Sequence, residues 1–236
     1  DQRPGGLVRA GAHDPLEPGL GHVLVRVLLG LLLAALLPAM PGRANVIGIE
    51  HYMGHPDLAY SGDLSIQGQA GTIRGQVYRA PDRQRTDVTV RGVPLSTLAD
   101  LSSGEGTLWS LAYRAYATTP LTAPGVRDWV PQLQYHSQVQ ILPAAADGGL
   151  EEINGVMAKR HSLSGISPEG TAYQGQLWTS PEGAIVRIVV RIGAQSAPVV
   201  YNLTNLKIEP QKPSLFAVPA GLQRRPWSDA VALIGG

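Results

Sequence analysis

The chain has 236 residues, of which 19 are Lys or Arg and 18 are Asp or Glu, and it contains no cysteine. The formal net charge of +1 argues against a nucleic-acid partner, because such a partner calls for a clustered basic face. Disulfides, cysteine nucleophiles and thiolate metal sites are excluded, so packing and sheet hydrogen bonds must stabilise the fold.

The first predicted element is an export signal. Arg26 precedes an uncharged apolar run from Val27 to Leu37, and small residues follow at Gly42 and Ala44. A basic start, a short apolar core and a small-x-small site are typical of a secretory signal peptide, whereas a membrane-spanning helix needs about 20 apolar residues. We therefore expect residues 23–44 to be a signal peptide that is cleaved near Ala44 and directs the protein to the periplasm.

The rest of the chain divides into a leading tail and one domain. Residues 1–22 are rich in glycine and proline and precede the signal, so we expect an over-extended reading frame or a disordered tail without function. Residues 45–236 are long enough for a single domain with a sizeable core. Within this domain, residues 122–149 are rich in proline and alanine and are expected to form an irregular insert.

A period of two dominates the chain after residue 59. In the segment 184–192, the aliphatic residues at positions 186, 188, 190 and 192 share one expected face, while Arg187 and Arg191 lie on the other. This alternation is typical of a strand with one buried and one exposed face. By the same reasoning, strands are expected at 60–68, 72–80, 84–92, 107–113, 155–163, 171–180, 184–192 and 198–208.

Short connections between these segments indicate an antiparallel sheet. They leave no room for helices between successive strands, and about eight strands at this spacing are typical of a meander that curls into a barrel or half-barrel. We predict a mainly β (α+β) fold, an incomplete antiparallel β-barrel with short covering helices. The helical segments available to cover it are expected at 46–55, 127–135 and 214–222.

The octapeptide GQVYRAPD (75–82) returns 100 positions later as GQLWTSPE (175–182). Gly75 and Gly175 lie in the middle of expected strands, where glycine commonly marks a bulge or a close approach of another element. Each copy ends in a proline followed by an acidic residue, which sets a tight turn. We interpret the echo as one structural device used twice rather than as a catalytic loop.

Common catalytic signatures are absent from the sequence. It has no nucleophile-elbow motif, no zinc-protease motif, no phosphate loop and no dinucleotide fingerprint. His51 and His55 have the spacing of one helix face, with Asp57 nearby, but two histidines beside a mature N-terminus are more often solvated. We therefore predict no metal and no cofactor.

Two further histidines admit a hydrolase hypothesis. His136 and His161 have serine neighbours at Ser137 and Ser162, and Asp128 or Glu151 is available to orient a histidine. A chain of this length offers such triples by chance, so we expect no catalytic residue and no enzymatic activity.

Four stretches along the chain resemble one known family in their order and spacing. The first is YSGDLSIQGQAGTIRGQVYRAPDRQR (60–85), a hairpin whose second strand runs into a basic residue and a proline. The second is LADLSSGEGTLWSL (98–111), with a turn glycine and then a Leu-Trp pair. The third joins EEINGVMAKRHSL (151–163) to GQLWTSPEGAIVRI (175–188), and the last is PSLFAVPAGLQ (213–223). Together they are similar to the LolA/LolB superfamily, the exported carriers of outer-membrane lipoproteins, and to its lipoprotein-sorting relatives.

This resemblance implies an incomplete antiparallel barrel whose concave apolar face is covered by helices and holds acyl chains. It spans most of the expected domain, but the long N-terminal helix of the family is barely represented between Asn45 and Ala59, and the insert at 122–149 is not typical. The chain is therefore expected to be a relative of the housekeeping carrier rather than that carrier. It lacks the lipid-modified cysteine of the membrane-anchored acceptor, so the processed protein is not expected to be integral to the membrane.

The resemblance also implies a binding face. In the family an arginine directly before a proline helps to latch the lid, and here Arg79 is separated from Pro81 by Ala80, so Arg79 is the candidate latch or head-group contact. Acyl chains are expected to meet inward-facing apolar side chains, each of which could equally be ordinary core. The predicted lipid-binding residues are Ile66, Val77, Val88, Val90, Trp109, Leu111, Leu177, Val186, Ile188 and Val190.

The leading functional hypothesis is a soluble periplasmic carrier, expected as a monomer, whose partner is a lipid or an acylated lipoprotein. The alternative is a non-enzymatic envelope adaptor with a filled core, which docks an envelope protein through a sheet edge or the insert at 122–149. An envelope hydrolase that uses His136 or His161 ranks third.

Overall fold

The computed structural model describes residues 57–68, 71–121, 138–142, 150–166, 172–193 and 197–235. The signal peptide, the leading tail and the helices expected at 46–55 and 127–135 lie outside these ranges. Thirteen strands are present in the described part of the chain: β1 Tyr60–Gly68, β2 Gly71–Ala80, β3 Arg83–Val90, β4 Val93–Asp100, β5 Glu105–Ser110, β6 Ala115–Pro120, β7 Gln138–Leu142, β8 Glu151–Ile153, β9 Val156–Ile166, β10 Ala172–Thr179, β11 Ile185–Ile192, β12 Val199–Ile208 and β13 Gln223–Arg224.

The strands form one open sheet in the order β13-β6-β5-β4-β3-β2-β1-β12-β11-β10-β9-β7, and β8 pairs with β9 as a side branch. Sequential neighbours pair antiparallel, as do β1 and β12, while β13 pairs parallel with β6. The two ends of this order, β13 and β7, do not pair with each other in the described ranges. The mainly β, incomplete antiparallel barrel predicted from the sequence is confirmed.

Several local expectations are corrected. The alternation pattern missed β4, which is buried on both faces around Leu98 and therefore does not alternate. The segment 138–142 forms β7 inside the region that was expected to be irregular. The strand expected at 107–113 ends at Ser110, where a four-residue turn begins.

The helical segments also differ from expectation. A short 3-10 helix, η1 (Pro213–Phe216), occupies only the start of the segment expected at 214–222. A helix that the sequence analysis did not predict, α1 (Trp227–Gly235), follows it. Neither helical segment in the described ranges is long and apolar enough to cross a membrane.

The two faces of the sheet carry separate apolar clusters. The inner face is the one that holds the large cluster around Val77, Val88, Leu177 and Ile188. The outer face holds two smaller clusters. One consists of Leu98, Trp109 and Phe216, and the other of Ala158, Trp178 and Val186.

The C-terminal segment passes from one face to the other around the edge of the sheet. Phe216 of η1 packs on the outer face, β13 then pairs with the edge strand β6, and α1 brings Trp227 and Ala230 against the inner cluster. This segment therefore covers an edge that would otherwise present unpaired backbone groups.

The duplicated octapeptide bends the sheet at two places. A Cβ added at Gly75 would overlap the carbonyl oxygen of Asp87 in β3, and one added at Gly175 would overlap that of Val189 in β11. Both glycines lie on the inner face, in phase with Val77 and Leu177, so the neighbouring strand closes toward that face and makes it concave. The close approach predicted from the sequence is confirmed at both positions.

The same repeat places an aromatic ring opposite an arginine on the outer face. Tyr78 pairs with Arg85 across β2 and β3, and Trp178 pairs with Arg187 across β10 and β11. The guanidinium carbon lies 5.8 Å from the Tyr78 ring centre in the first pair and 5.4 Å from the Trp178 ring centre in the second. Such cation–π contacts stabilise both hairpins on the side away from the bend.

Arg85 also fastens the C-terminal segment to the outer face. It stacks on Trp109 at 5.1 Å, its Nε donates to Asp87 Oδ1 at 2.8 Å, and its Nη1 donates to the carbonyl oxygen of Leu215 at 2.9 Å. A part-buried guanidinium with these contacts holds η1 over β3.

We expect Gly75→Ala and Gly175→Ala each to lower the free energy of unfolding by about 3 kcal/mol, because the new methyl group forces the neighbouring strand away. Gly221→Ala is the matched control, since Gly221 has φ +81° and open space around it, so only the backbone strain of about 1 kcal/mol applies. Urea unfolding monitored by circular dichroism measures all three. Equal losses for the three variants would contradict the view that the bend depends on these glycines.

Candidate functional site

The inner face of the sheet is the candidate binding surface. Seven of the ten predicted lipid-binding residues lie there, buried in one continuous cluster that also includes Tyr201, Leu203 and Ala230. Those seven are Ile66, Val77, Val88, Val90, Leu177, Ile188 and Val190. The sequence placed them correctly because their strands alternate regularly. Their role in binding lipid stays a prediction.

The expected inner-face position is wrong for the other three residues. Trp109 packs on the outer face with Leu98 and Phe216, because its neighbour Leu108 takes the inner position. Val186 is the extra residue at a register shift between β10 and β11. Trp178 pairs with Arg187, and the next residue, Thr179, pairs with Ile185, so Val186 is skipped. This shift turns Val186 to the outer cluster, although Ile188 remains on the inner face.

Leu111 is the third corrected residue. It lies in the turn between β5 and β6 and is 63% exposed. Tyr113 in the same turn is 41% exposed, so this turn carries two exposed apolar side chains away from the inner face.

One end of the inner face is polar. Arg79 and Gln84 pair across β2 and β3 and are 1% and 3% exposed, respectively. Arg79 Nη1 donates to Gln84 Oε1 at 3.5 Å. Thr86 and Thr97 form the next buried pair along β3 and β4, and the pairs after that are apolar.

Arg79 therefore lies inside the candidate site, on the same face as Val77. Its predicted action as a latch or head-group contact stays a prediction. Sequence analysis did not single out Gln84, although it is in phase with Thr86, Val88 and Val90 in the strand QRTDVTV. This phase could have identified Gln84 from the sequence, because it places a polar side chain at a buried position, where such a side chain needs a partner.

Gln84 has an unsatisfied donor. Among the described residues, its Nε2 has no hydrogen-bond partner although the atom is buried. Leaving such a donor unsatisfied costs about 1–3 kcal/mol. The group is therefore available to a ligand that carries a hydrogen-bond acceptor.

His161 occupies the inner face of β9 and does not form the proposed triad. Its Nε2 lies 3.0 Å from Thr179 Oγ1, and Ser162 is exposed on the opposite face. Glu151 also lies on the outer face, where it accepts a hydrogen bond from Trp178 Nε1 at 2.7 Å. The hypothesis that His161, Ser162 and Glu151 form a catalytic triad is therefore wrong.

Other residues considered for chemistry lie outside the described ranges. These are His51, His55, Asp128, His136 and Ser137. Among the residues that the structure describes, no three His, Asp or Glu side chains come together as a metal-binding group.

A cavity of about 570 Å³ opens on the outer face, where β12, β1 and β2 meet. The register of β1 and β12 shifts between Ser61 and Asp63, where β12 has one residue more than β1. Asn205 lies at this bulge and adopts φ +52°. Asp63 accepts hydrogen bonds from Asn205 Nδ2 at 2.6 Å and Gln76 Nε2 at 3.3 Å. These two bonds, with a smaller effect of Lys207, lower the pKa of the Asp63 carboxyl. The cleft therefore holds an ionised carboxylate at neutral pH, in contrast to the apolar cluster of the inner face.

Comparison with known proteins shows likeness of fold alone. No family model and no curated protein sequence matches the chain. The structure is similar to that of an uncharacterised conserved protein from Thermus thermophilus, with 12% identity and a TM-score of 0.52 over 75% of this chain and 96% of that one.

Other matched structures are more distant. A LolA superfamily protein from Nitrosomonas europaea has 11% identity and a TM-score of 0.36 over 73% of this chain and 98% of that one. A structure of the Pseudomonas aeruginosa MucA/MucB complex has 10% identity and a TM-score of 0.44, and the match covers 74% of this chain and 62% of that one. The similarity to the Thermus thermophilus protein extends over most of both chains and concerns the fold alone. The open, incomplete antiparallel barrel predicted from the sequence is the fold of this chain.

The buried imidazole of His161 predicts a pH dependence of stability. Burial, and to a smaller extent Lys159, lower the pKa of His161 below its usual 6.5. The unfolded chain therefore takes up this proton first as the pH falls, so stability present above pH 6.5 is lost as the pH drops toward the lower folded pKa. We expect His161→Gln to lose less stability than the wild type between pH 7.5 and pH 5.5 in urea unfolding. Parallel losses in the two proteins would show that His161 is not the group responsible.

Proposed function

We propose that the protein is an exported periplasmic carrier that binds the acyl chain of a lipid or of an acylated lipoprotein against its inner face. It acts as a monomer and performs no covalent chemistry. The observation that carries this proposal is the continuous apolar inner face, which extends from Ala117 in β6 to Leu163 in β9. A curved sheet with such a face suits a hydrocarbon chain, because each buried CH₂ group contributes about 0.8 kcal/mol.

The helix α1 covers part of this face. Among the described side chains of α1, Trp227 and Ala230 pack against the inner cluster, and α1 also contacts β6. A bound chain takes over contacts that α1 makes with the sheet, so entry requires α1 or another covering segment to move.

An envelope protein is a second proposed partner. Leu111 and Tyr113 favour this proposal because they expose apolar surface on one turn, away from the inner face. A carrier that receives or delivers its ligand through a protein partner needs such an exposed contact. The adaptor function without a lipid is the competing outcome of the experiment below.

The direct test is native mass spectrometry of the processed protein, purified gently from a periplasm. We expect a discrete added mass that organic extraction releases as a lipid. A clean unliganded mass, together with no uptake of added phospholipid or palmitoylated peptide, would contradict the carrier and leave the adaptor.

A matched pair of substitutions in β11 locates the binding face. Val190 is buried on the inner face and Val186 is buried on the outer face. We expect Val190→Phe to weaken binding of a palmitoylated peptide by at least about tenfold, because the ring occupies space that the chain needs. Val186→Phe carries a similar overpacking cost of about 1–3 kcal/mol in stability but should bind as the wild type does. Equal binding by the two variants, both folded by circular dichroism, would place the chain elsewhere.

A further inference from the structure

The inner face changes from polar to apolar along β3. The pairs that cross β3 and its neighbours run from Arg79 with Gln84, through Thr86 with Thr97 and Val88 with Leu95, to Val90 with Val93. Gln84 and Val90 are six positions apart along the strand, which is about 20 Å at 3.3 Å per residue. An elongated ligand with one polar end and one apolar end matches this gradient in a single orientation.

The polar end offers an oriented hydrogen-bond donor. Because Arg79 Nη1 donates to Gln84 Oε1, the amide of Gln84 is held with its oxygen toward the arginine. Its Nε2 is the other branch of the same amide, is buried, and has no partner in the described part of the chain. A neutral amide N–H buried beside hydrocarbon is suited to a neutral acceptor such as a carbonyl oxygen.

We propose that Gln84 Nε2 donates a hydrogen bond to the carbonyl oxygen that joins the acyl chain of the ligand to its head group. The ligand class is therefore an acyl ester or acyl amide, and its chain extends along β3 past Val88 toward Val90. This inference rests on the proposed carrier function and adds the chemical group that the site selects.

The energetics favour this assignment. An unsatisfied buried donor is unfavourable, and a ligand carbonyl removes that cost when it binds. A ligand with an ether in place of the ester lacks the carbonyl oxygen and offers Nε2 only the weaker ether oxygen. Because the donor is buried and unpaired, the site should bind a ligand without the matching carbonyl more weakly.

The test compares two amphiphiles with the same chain length, 1-palmitoylglycerol, which has an ester carbonyl, and 1-O-hexadecylglycerol, which has an ether. We expect the wild type to bind the ester about fivefold more tightly than the ether, as measured by displacement of a fluorescent fatty acid. Gln84→Met keeps the length of the side chain but removes the donor, so it should bind both amphiphiles with the same affinity.

Two further variants keep the result interpretable. Gln76→Met makes the same substitution on the outer face of β2, where Gln76 is exposed, and should keep the ester preference. Gln84→Glu keeps the shape and the acceptor for Arg79 but replaces the N–H by an oxygen. It should lose the preference even if Gln84→Met does not fold.

The outcomes separate this inference from the proposed function. If the wild type binds neither amphiphile, the carrier function itself fails. If it binds both with equal affinity, the carrier function stands and the role of Gln84 is overturned. Retention of the ester preference by both Gln84 variants would also overturn it.

Discussion

The structure depends on the absence of a side chain at two positions, Gly75 and Gly175. At each of them the carbonyl oxygen of the neighbouring strand occupies the place where a Cβ would lie. No other residue permits this approach, and each glycine lies on the inner face of the sheet. The two glycines therefore determine where β3 and β11 close toward the inner side, and the concave apolar surface follows from that closure.

The outer face complements this bend. Each copy of the repeat that bears a glycine on the inner side also places an aromatic ring opposite an arginine on the outer side, as Tyr78 with Arg85 and Trp178 with Arg187. In the first half of the sheet, Arg85 also binds the carbonyl oxygen of Leu215 and so fixes the C-terminal segment. That segment continues around the β6 edge to bring α1 over the inner face. The outer contacts thus position the cover of the inner surface.

The regular strands could be predicted from the sequence, and the irregular ones could not. Alternation located β3 and β11 because each has one apolar and one polar face. It failed at Val186 because the register shift in β11 moves one residue to the other face without any change in the pattern of residue types. It failed at Trp109 because both Leu108 and Trp109 are buried, one on each face. Two adjacent apolar residues do not show which of them points to the inner face.

The polar part of the site was only partly predictable. Arg79 was found through its resemblance to a family motif. Gln84 was missed, although its phase with Val88 was visible, because only the structure shows that it is buried and that its Nε2 lacks a partner. The helix α1 was missed because it is short and comes after the expected end of the domain motifs. Long-range packing against β6, rather than local sequence pattern, accounts for its place.

Photoaffinity labelling would show whether an acyl chain lies on the inner face. The probe is a palmitoylated peptide with a diazirine at the chain end, which is bound to the processed protein, irradiated and mapped by mass spectrometry of the digested protein. We expect labels on inner-face residues near the apolar end of β3, such as Val88 and Val90. Labels confined to outer-face residues, such as Leu98 and Phe216, would contradict it.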